Sequence, residues 1–181
     1  VAIEALSKTV TEIDGKASVA LYAFGNNFDN APSSKAKSCE DINQLVDYGK
    51  NNTGVIKEVL SGLQAKGWTP LAKSIETIGA DLAEFGDSEH HLIILSDGEE
   101  SCNGDPVSAV NKLKVNGVNV IVNTIGLDVD SSTQKQLEDI AKAGGGEYFS
   151  ASDSSALSDS LESAITKEVT TPQAEADFSA D

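Results

Sequence analysis

The sequence predicts an α/β domain of the doubly wound, Rossmann-like type, with a mostly parallel sheet and helices on both faces. Three apolar runs indicate strands that are buried on both sides, and they read ASVALYAF, HLIIL and VNVIVNTI. Amphipathic segments with apolar residues at helical spacing separate these runs. Apolar strands that alternate with helices are typical of a parallel sheet that is covered on both faces.

The predicted elements follow one another along the chain without an internal repeat. Capping residues, prolines and glycines bound the helices, as Pro70 and Gly86 do for the third. Helices are predicted over residues 1–13, 51–65, 71–85, 107–115, 131–143 and 157–169. Strands are predicted over residues 17–24, 44–48, 91–95, 118–125 and 148–149. The polar stretch 25–41 between the first two strands is predicted to be a loop.

Residues 1–169 are expected to form one domain, and the polar residues 170–181 a linker or the start of a following extracellular repeat. Their AEADFSAD segment resembles the opening strand of a PKD-type repeat. The chain opens on a helix, whereas a domain of this kind normally opens on a strand. Because the sequence begins with Val1 and contains no methionine, we expect an N-terminally truncated piece of a longer protein that lacks its first strand.

The charge of the chain excludes several classes of partner. Its 13 basic residues are all lysines and stand against 29 acidic ones, which gives a formal net charge of −16. Nucleic acids and anionic membrane surfaces are disfavoured, since both are bound through clustered Lys and Arg. No apolar stretch approaches the roughly 20 residues of a membrane span. This composition suits a secreted or surface-exposed protein, or one that handles divalent cations.

The carboxyl ends of the strands are the expected place for a ligand, because open α/β sheets bind ligands there. Asp97 follows the HLIIL strand and precedes Gly98, which permits a sharp turn. Thr69 lies in the loop before the helix at residue 71. A hydroxyl and a carboxylate from two loops suit a hard cation. On spacing alone the alternative stays open that Thr69 caps its helix and Asp97 is a turn residue.

Two segments around these residues resemble the von Willebrand factor A (VWA) domain in its bacterial form. They are KGWTPLAKSI, residues 66–75, and LIILSDGEESCNGDP, residues 92–106. The resemblance implies a metal-ion-dependent adhesion site (MIDAS) built from an Asp-x-Ser-x-Ser loop, a Gly-x-Thr-Pro loop and an Asp-Gly turn. It assigns Thr69 to the second element and Asp97 to the third. The first element would precede Val1, so Mg²⁺, Mn²⁺ or Ca²⁺ binding is expected to be weak or absent in this chain.

The same resemblance implies a non-enzymatic protein-binding or adhesion module whose partner offers an acidic residue to the cation. It implies a monomeric module of a larger protein in an extracellular, cell-surface or periplasmic location. Trp68, Ser96, Gly98 and Glu99 are predicted to form the rim that meets the partner, with Ser96 and Gly98 shaping the loop. The alternatives are a small hydrolase or nucleotide-binding enzyme on the same fold, or a structural spacer with a non-functional metal site.

The remaining polar residues allow several interpretations. Cys39 and Cys102 match no zinc spacing; a disulfide between their two loops is favoured over two free thiols. The acidic residues Glu99, Glu100 and Asp105 suggest an accessory Ca²⁺ site, although a solvated acidic rim is the favoured interpretation. His90 and His91 are adjacent on a strand and therefore face opposite sides, which argues against a metal pair.

Overall fold

The computed structural model describes residues 2–64, 66–152 and 154–169. The predicted linker, residues 170–181, lies outside the described residues. The helices are α1 Ala2–Glu12, α2 Lys35–Ser38, α3 Thr53–Gly62, α4 Leu71–Leu82, α5 Pro106–Val115, α6 Ser131–Gly144 and α7 Ser154–Val169. The strands are β1 Val19–Phe24, β2 Ile42–Gly49, β3 His90–Ser96, β4 Val120–Leu127 and β5 Tyr148–Ala151. The predicted elements are thus present with shifted ends, and the predicted loop 25–41 also contains α2 and a short 3₁₀ turn.

The described strands form two sheets. β3, β4 and β5 pair in that order and run parallel, in agreement with the predicted mostly parallel sheet. β1 and β2 form a separate two-stranded sheet and run antiparallel. The connection between β1 and β2 contains α2 and a short 3₁₀ turn but no longer helix of the kind that usually forms a parallel crossover.

Helices cover both faces of the strands, which confirms the predicted α/β architecture. Helices α4, α5 and α6 pack on one face, where Leu92 and Ile94 of β3 point. Helices α1 and α7 pack on the other face, where Ile93 and Leu95 point, and α3 joins them over β1 and β2. This alternation is the period-two pattern of a strand that is buried on both sides.

A cavity of about 1160 Å³ separates the two sheets. All residues of β1 and β3 line it, with α1 and α3 on one side and α4 on the other. Within the described residues, the edges of β1 and β3 that face this cavity have no strand partner. The expected strand before Val1 stays a prediction.

None of the helices in the described part of the chain is long and apolar enough to cross a membrane.

Candidate functional site

Asp97 projects from the carboxyl end of β3 into solvent. It follows Ser96, the last residue of the strand, and its side chain is exposed. The hydroxyl of buried Ser96 donates to the Gly98 carbonyl oxygen at 2.7 Å and accepts from the Gly98 N–H at 3.3 Å. Among the described residues, no group donates a hydrogen bond to the Asp97 carboxylate. Ser96 thus closes the turn, and Asp97 keeps both oxygens free for a ligand.

Thr69 lies beside this turn, as the predicted site requires. Its hydroxyl oxygen is 3.6 Å from the position that a Cβ atom on Gly98 would occupy. In the part of the chain that the structure describes, this hydroxyl also has no hydrogen-bond partner. The fold therefore brings the loops of the two predicted metal ligands together and leaves both side chains unpaired.

The loop before Thr69 is fixed at its start by close contact with Gly25. The backbone N–H groups of Lys66 and Gly67 both donate to the Gly25 carbonyl oxygen, at 3.0 and 2.9 Å. Gly25 has a φ of 62°, and a Cβ atom there would lie 2.8 Å from the Trp68 carbonyl oxygen. A side chain at this position would displace the loop, so glycine is required here.

The next two residues of the loop are held from two other segments. The Trp68 N–H donates to the hydroxyl of Ser38 at 2.9 Å. The Thr69 N–H donates to the hydroxyl of Ser101 at 2.7 Å, and the Ser101 N–H donates to the Thr69 carbonyl oxygen at 3.0 Å. Sequence reasoning missed both serines. Their one signal is that each directly precedes a cysteine.

Those cysteines form the predicted disulfide. Cys39 and Cys102 are bonded, with their Cα atoms 5.6 Å apart and 63 positions apart in the sequence. The bond joins the segment between β1 and β2 to the segment after β3. It therefore links the two sheets at the end of the molecule that carries Thr69 and Asp97.

Glu100 stabilises the same region with its carboxylate, and this corrects its predicted place in a solvated rim. One oxygen accepts the N–H of Ala72 at 2.9 Å, at the start of α4. The other accepts the N–H groups of Cys102 at 2.6 Å and Gly104 at 3.3 Å. A carboxylate suits this place because it can accept several N–H groups at once.

In the described part of the chain, Glu99, Glu100 and Asp105 do not form the suggested accessory Ca²⁺ site. Asp105 accepts the Ser108 N–H at 3.0 Å and caps α5, so of the three acidic residues only Glu99 remains exposed and uncommitted. The described residues include no group of three or more His, Cys, Asp or Glu that could hold a metal ion. An accessory cation therefore finds no cage here.

The residues predicted to form the rim differ in their exposure to solvent. Trp68 is half-buried: its indole N–H donates to the Ala31 carbonyl oxygen at 3.3 Å, and the Lys35 ammonium lies 4.4 Å from its ring centroid. Glu99 is exposed beside Asp97, whereas Ser96 is buried. Ser96 therefore shapes the turn and cannot be part of an exposed contact surface.

The two histidines lie at the opposite end of β3. His90 packs against the rings of Tyr48 and Phe85, with centroids 6.4 and 5.8 Å away, and burial lowers its pKa. His91 is exposed, with its Nε2 atom 3.2 Å from Glu89. The predicted arrangement of one packed and one exposed histidine is confirmed.

Thr69 and Asp97 fit the chemistry of a hard divalent cation. A hydroxyl and a carboxylate are oxygen ligands of the kind that Mg²⁺ and Ca²⁺ take. Mg²⁺ commonly keeps several waters and is held by only one or two carboxylates. The two side chains could therefore hold such an ion, weakly, with water in the remaining positions.

The family model for the von Willebrand factor type A domain matches residues 2–163. Two uncharacterized proteins of Bacillus subtilis (strain 168), YwmD and YwmC, are 34% and 33% identical to the chain over 149 and 147 residues. These matches cover 82% and 81% of this chain but 65% and 64% of those proteins. The chain thus spans just under two thirds of the length of these relatives.

Solved structures share the fold. A von Willebrand factor type A protein from Catenulispora acidiphila gives a TM-score of 0.69 at 20% identity, over 90% of this chain and 36% of that one. Proximal thread matrix protein 1 from the mussel byssus, in a form with a zinc-occupied MIDAS motif, gives 0.58 at 15% identity, over 90% and 42%. The family model itself covers most of the chain. The chain therefore belongs to the von Willebrand factor type A domain family.

Proposed function

We propose that this domain binds a protein ligand through a divalent cation at Thr69 and Asp97. Domains of the family often bind metal ions and proteins, and they are generally non-enzymatic. The observation that carries the proposal is the exposed Asp97 carboxylate, unpaired among the described residues, beside the unpaired hydroxyl of Thr69. The mussel protein with a zinc-occupied MIDAS motif shares this fold and supports cation binding by such a domain.

The cation would be Mg²⁺, Mn²⁺ or Ca²⁺, and an acidic residue of the partner would complete its coordination. Thr69 would contribute its hydroxyl, and Asp97 its carboxylate either directly or through a water molecule. Glu99 and the exposed part of Trp68 would meet the partner around the ion. With two protein ligands, this chain should bind the cation only weakly.

The proposed setting is a monomeric module of a larger extracellular, cell-surface or periplasmic protein. The Cys39–Cys102 disulfide supports it, since such bonds persist mainly in oxidising compartments. A hydrolase is less well supported, because the Ser96 hydroxyl is buried and donates to the Gly98 carbonyl oxygen. No histidine of the described residues lies near it to act as a base.

Calorimetric titration with Mn²⁺ and Mg²⁺ tests the cation site. We expect a dissociation constant of about 1 mM for the unaltered chain, typical of weak sites. Asp97→Asn and Thr69→Val should each abolish the binding heat. Asp87→Asn, the same charge change on an exposed residue before β3, should leave it unchanged. Absence of binding by the unaltered chain, or equal binding by Asp97→Asn, would overturn the proposal.

A further inference from the structure

We propose that Ser38 and Ser101, fixed by the disulfide between the cysteines that follow them, position Thr69 for its ligand. The cation as ligand rests on the proposed function, whereas the positioning can be measured without it. In this arrangement the disulfide does more than close a loop: it sets where the Thr69 hydroxyl stands relative to Asp97.

The geometry of consecutive hydrogen bonds carries this inference. The neighbouring N–H groups of Trp68 and Thr69 donate to two different hydroxyls, the first to that of Ser38 at 2.9 Å and the second to that of Ser101 at 2.7 Å. The loop is thus held by two separate segments at consecutive residues.

The two acceptors come from distant parts of the chain. Ser38 lies in the segment between β1 and β2, and Ser101 lies after β3. Each of these segments is attached to a different sheet. The Cys39–Cys102 bond joins the adjacent residues covalently and fixes the spacing between the two acceptors.

Burial of Ser38 and backbone pairing of Ser101 strengthen the hydrogen bonds that hold the Thr69 loop. Ser38 is fully buried, with 0% exposure, so water does not compete for its hydrogen bond with Trp68. On the other side, Ser101 exchanges two hydrogen bonds with Thr69, and Glu100 joins Cys102 to the first turn of α4. Thr69 therefore lies between two anchors that cannot shift independently.

The test uses backbone amide exchange together with fluorescence from Trp68, the only tryptophan of the chain. Ser38→Ala should speed exchange of the Trp68 amide, and Ser101→Ala that of the Thr69 amide, each at least tenfold. Cys39→Ala combined with Cys102→Ala should speed both. Ser160→Ala is the matched control. This buried serine of α7 donates to the Ser150 carbonyl oxygen, and its replacement should leave the exchange rates of both amides unchanged.

The consequence for the ligand is measured in the same variants by Mn²⁺ titration of Trp68 fluorescence. Ser38→Ala and Ser101→Ala should each weaken Mn²⁺ binding about fivefold, which corresponds to one net hydrogen bond. Ser101→Thr keeps the hydroxyl and should restore both exchange and affinity. Ser160→Ala should lower the melting temperature without changing the affinity.

The outcomes separate the two proposals. A lack of Mn²⁺ response in the unaltered chain would overturn the proposed function, while amide exchange would still decide the positioning. Unchanged exchange at Trp68 and Thr69 in the serine variants would overturn the positioning by Ser38 and Ser101. If the Trp68 and Thr69 amides exchange as slowly in the double cysteine variant as in the unaltered chain, the disulfide does not hold the serines in place. That result would also overturn the proposed positioning.

Discussion

At the end of the molecule that carries Thr69 and Asp97, here called the loop end, the four consecutive N–H groups of residues 66–69 donate to two other segments, residues 25–41 and the residues after β3. The Cys39–Cys102 disulfide joins these two segments. In the middle of the strands, β1 and β3 instead face each other across a cavity of about 1160 Å³. Loops are ordinarily the loosest part of a domain, and strand cores the most densely packed. Within the described residues, the loop end is cross-linked, whereas an open space lies between the strands.

The contacts between the two sheets explain how they stay together. Strand pairing does not join them in the described structure, since β1 pairs with β2 and β3 with β4. They are connected instead by helices that pack against both, as α4 does, and by the Cys39–Cys102 bond. The covalent link therefore adds to the helix packing that connects the two sheets.

The largest expected effect comes from removing the disulfide. Replacing Cys39 and Cys102 by alanine should lower the free energy of unfolding by about 4 kcal/mol, because the bond closes a long loop. Urea unfolding of both proteins measures the loss, and a reducing agent should destabilise only the unaltered chain. A loss below about 1 kcal/mol would mean that the helices alone hold the two sheets together.

A pair of leucine substitutions sharpens the contrast between packed and open regions. Leu137 is fully buried under β4, so Leu137→Ala should cost about 3 kcal/mol. Leu21 is half-buried and lines the cavity, so Leu21→Ala removes less buried surface and should cost about 1 kcal/mol. Thermal unfolding of the two variants checks the difference. Equal losses of stability in the two variants would show that Leu21 is packed as closely as Leu137, which would contradict the contrast between the two regions.

The smallest effect concerns the pH dependence of the loop end. Buried Asp41 accepts hydrogen bonds from the Asn27 N–H at 3.0 Å and from the side chains of Asn27 and Asn43, both at 2.8 Å. Burial raises the pKa of Asp41, but the hydrogen bonds from Asn43 and Asn27 together outweigh it and hold this pKa below its ordinary value. The native state thus favours the ionised carboxyl.

Its contribution to stability should be complete above about pH 4, the ordinary pKa of an aspartate, and should be lost as the pH falls through the lower pKa of the native state. Asp41→Asn should therefore lose less stability than the unaltered chain as the pH falls below about 4. Melting temperatures across this range measure the two slopes. Parallel curves would contradict the role given to Asp41.

Much of the loop end follows from local patterns. The apolar HLIIL run and the Gly98 turn place Asp97 at the end of a strand, and Pro70 places Thr69 just before a helix. The cysteines could be paired because both lie in segments expected at the same end. Glu100 could not be placed, because an acidic residue in a polar segment is typical of solvent, and its three N–H partners are brought to it only by folding.

Periodicity and residues a few positions apart were enough to predict which segments form strands and helices and which faces they bury. The choice of Thr69 and Asp97 as ligands came from the resemblance to the VWA domain, and it stays a prediction. Tertiary structure alone decided that β1 and β2 run antiparallel, that a cavity separates the sheets, and that Ser38 and Ser101 hold the Thr69 loop. Those features depend on contacts between residues tens of positions apart. Their geometry is set by how the helices pack and by where the chain is covalently joined.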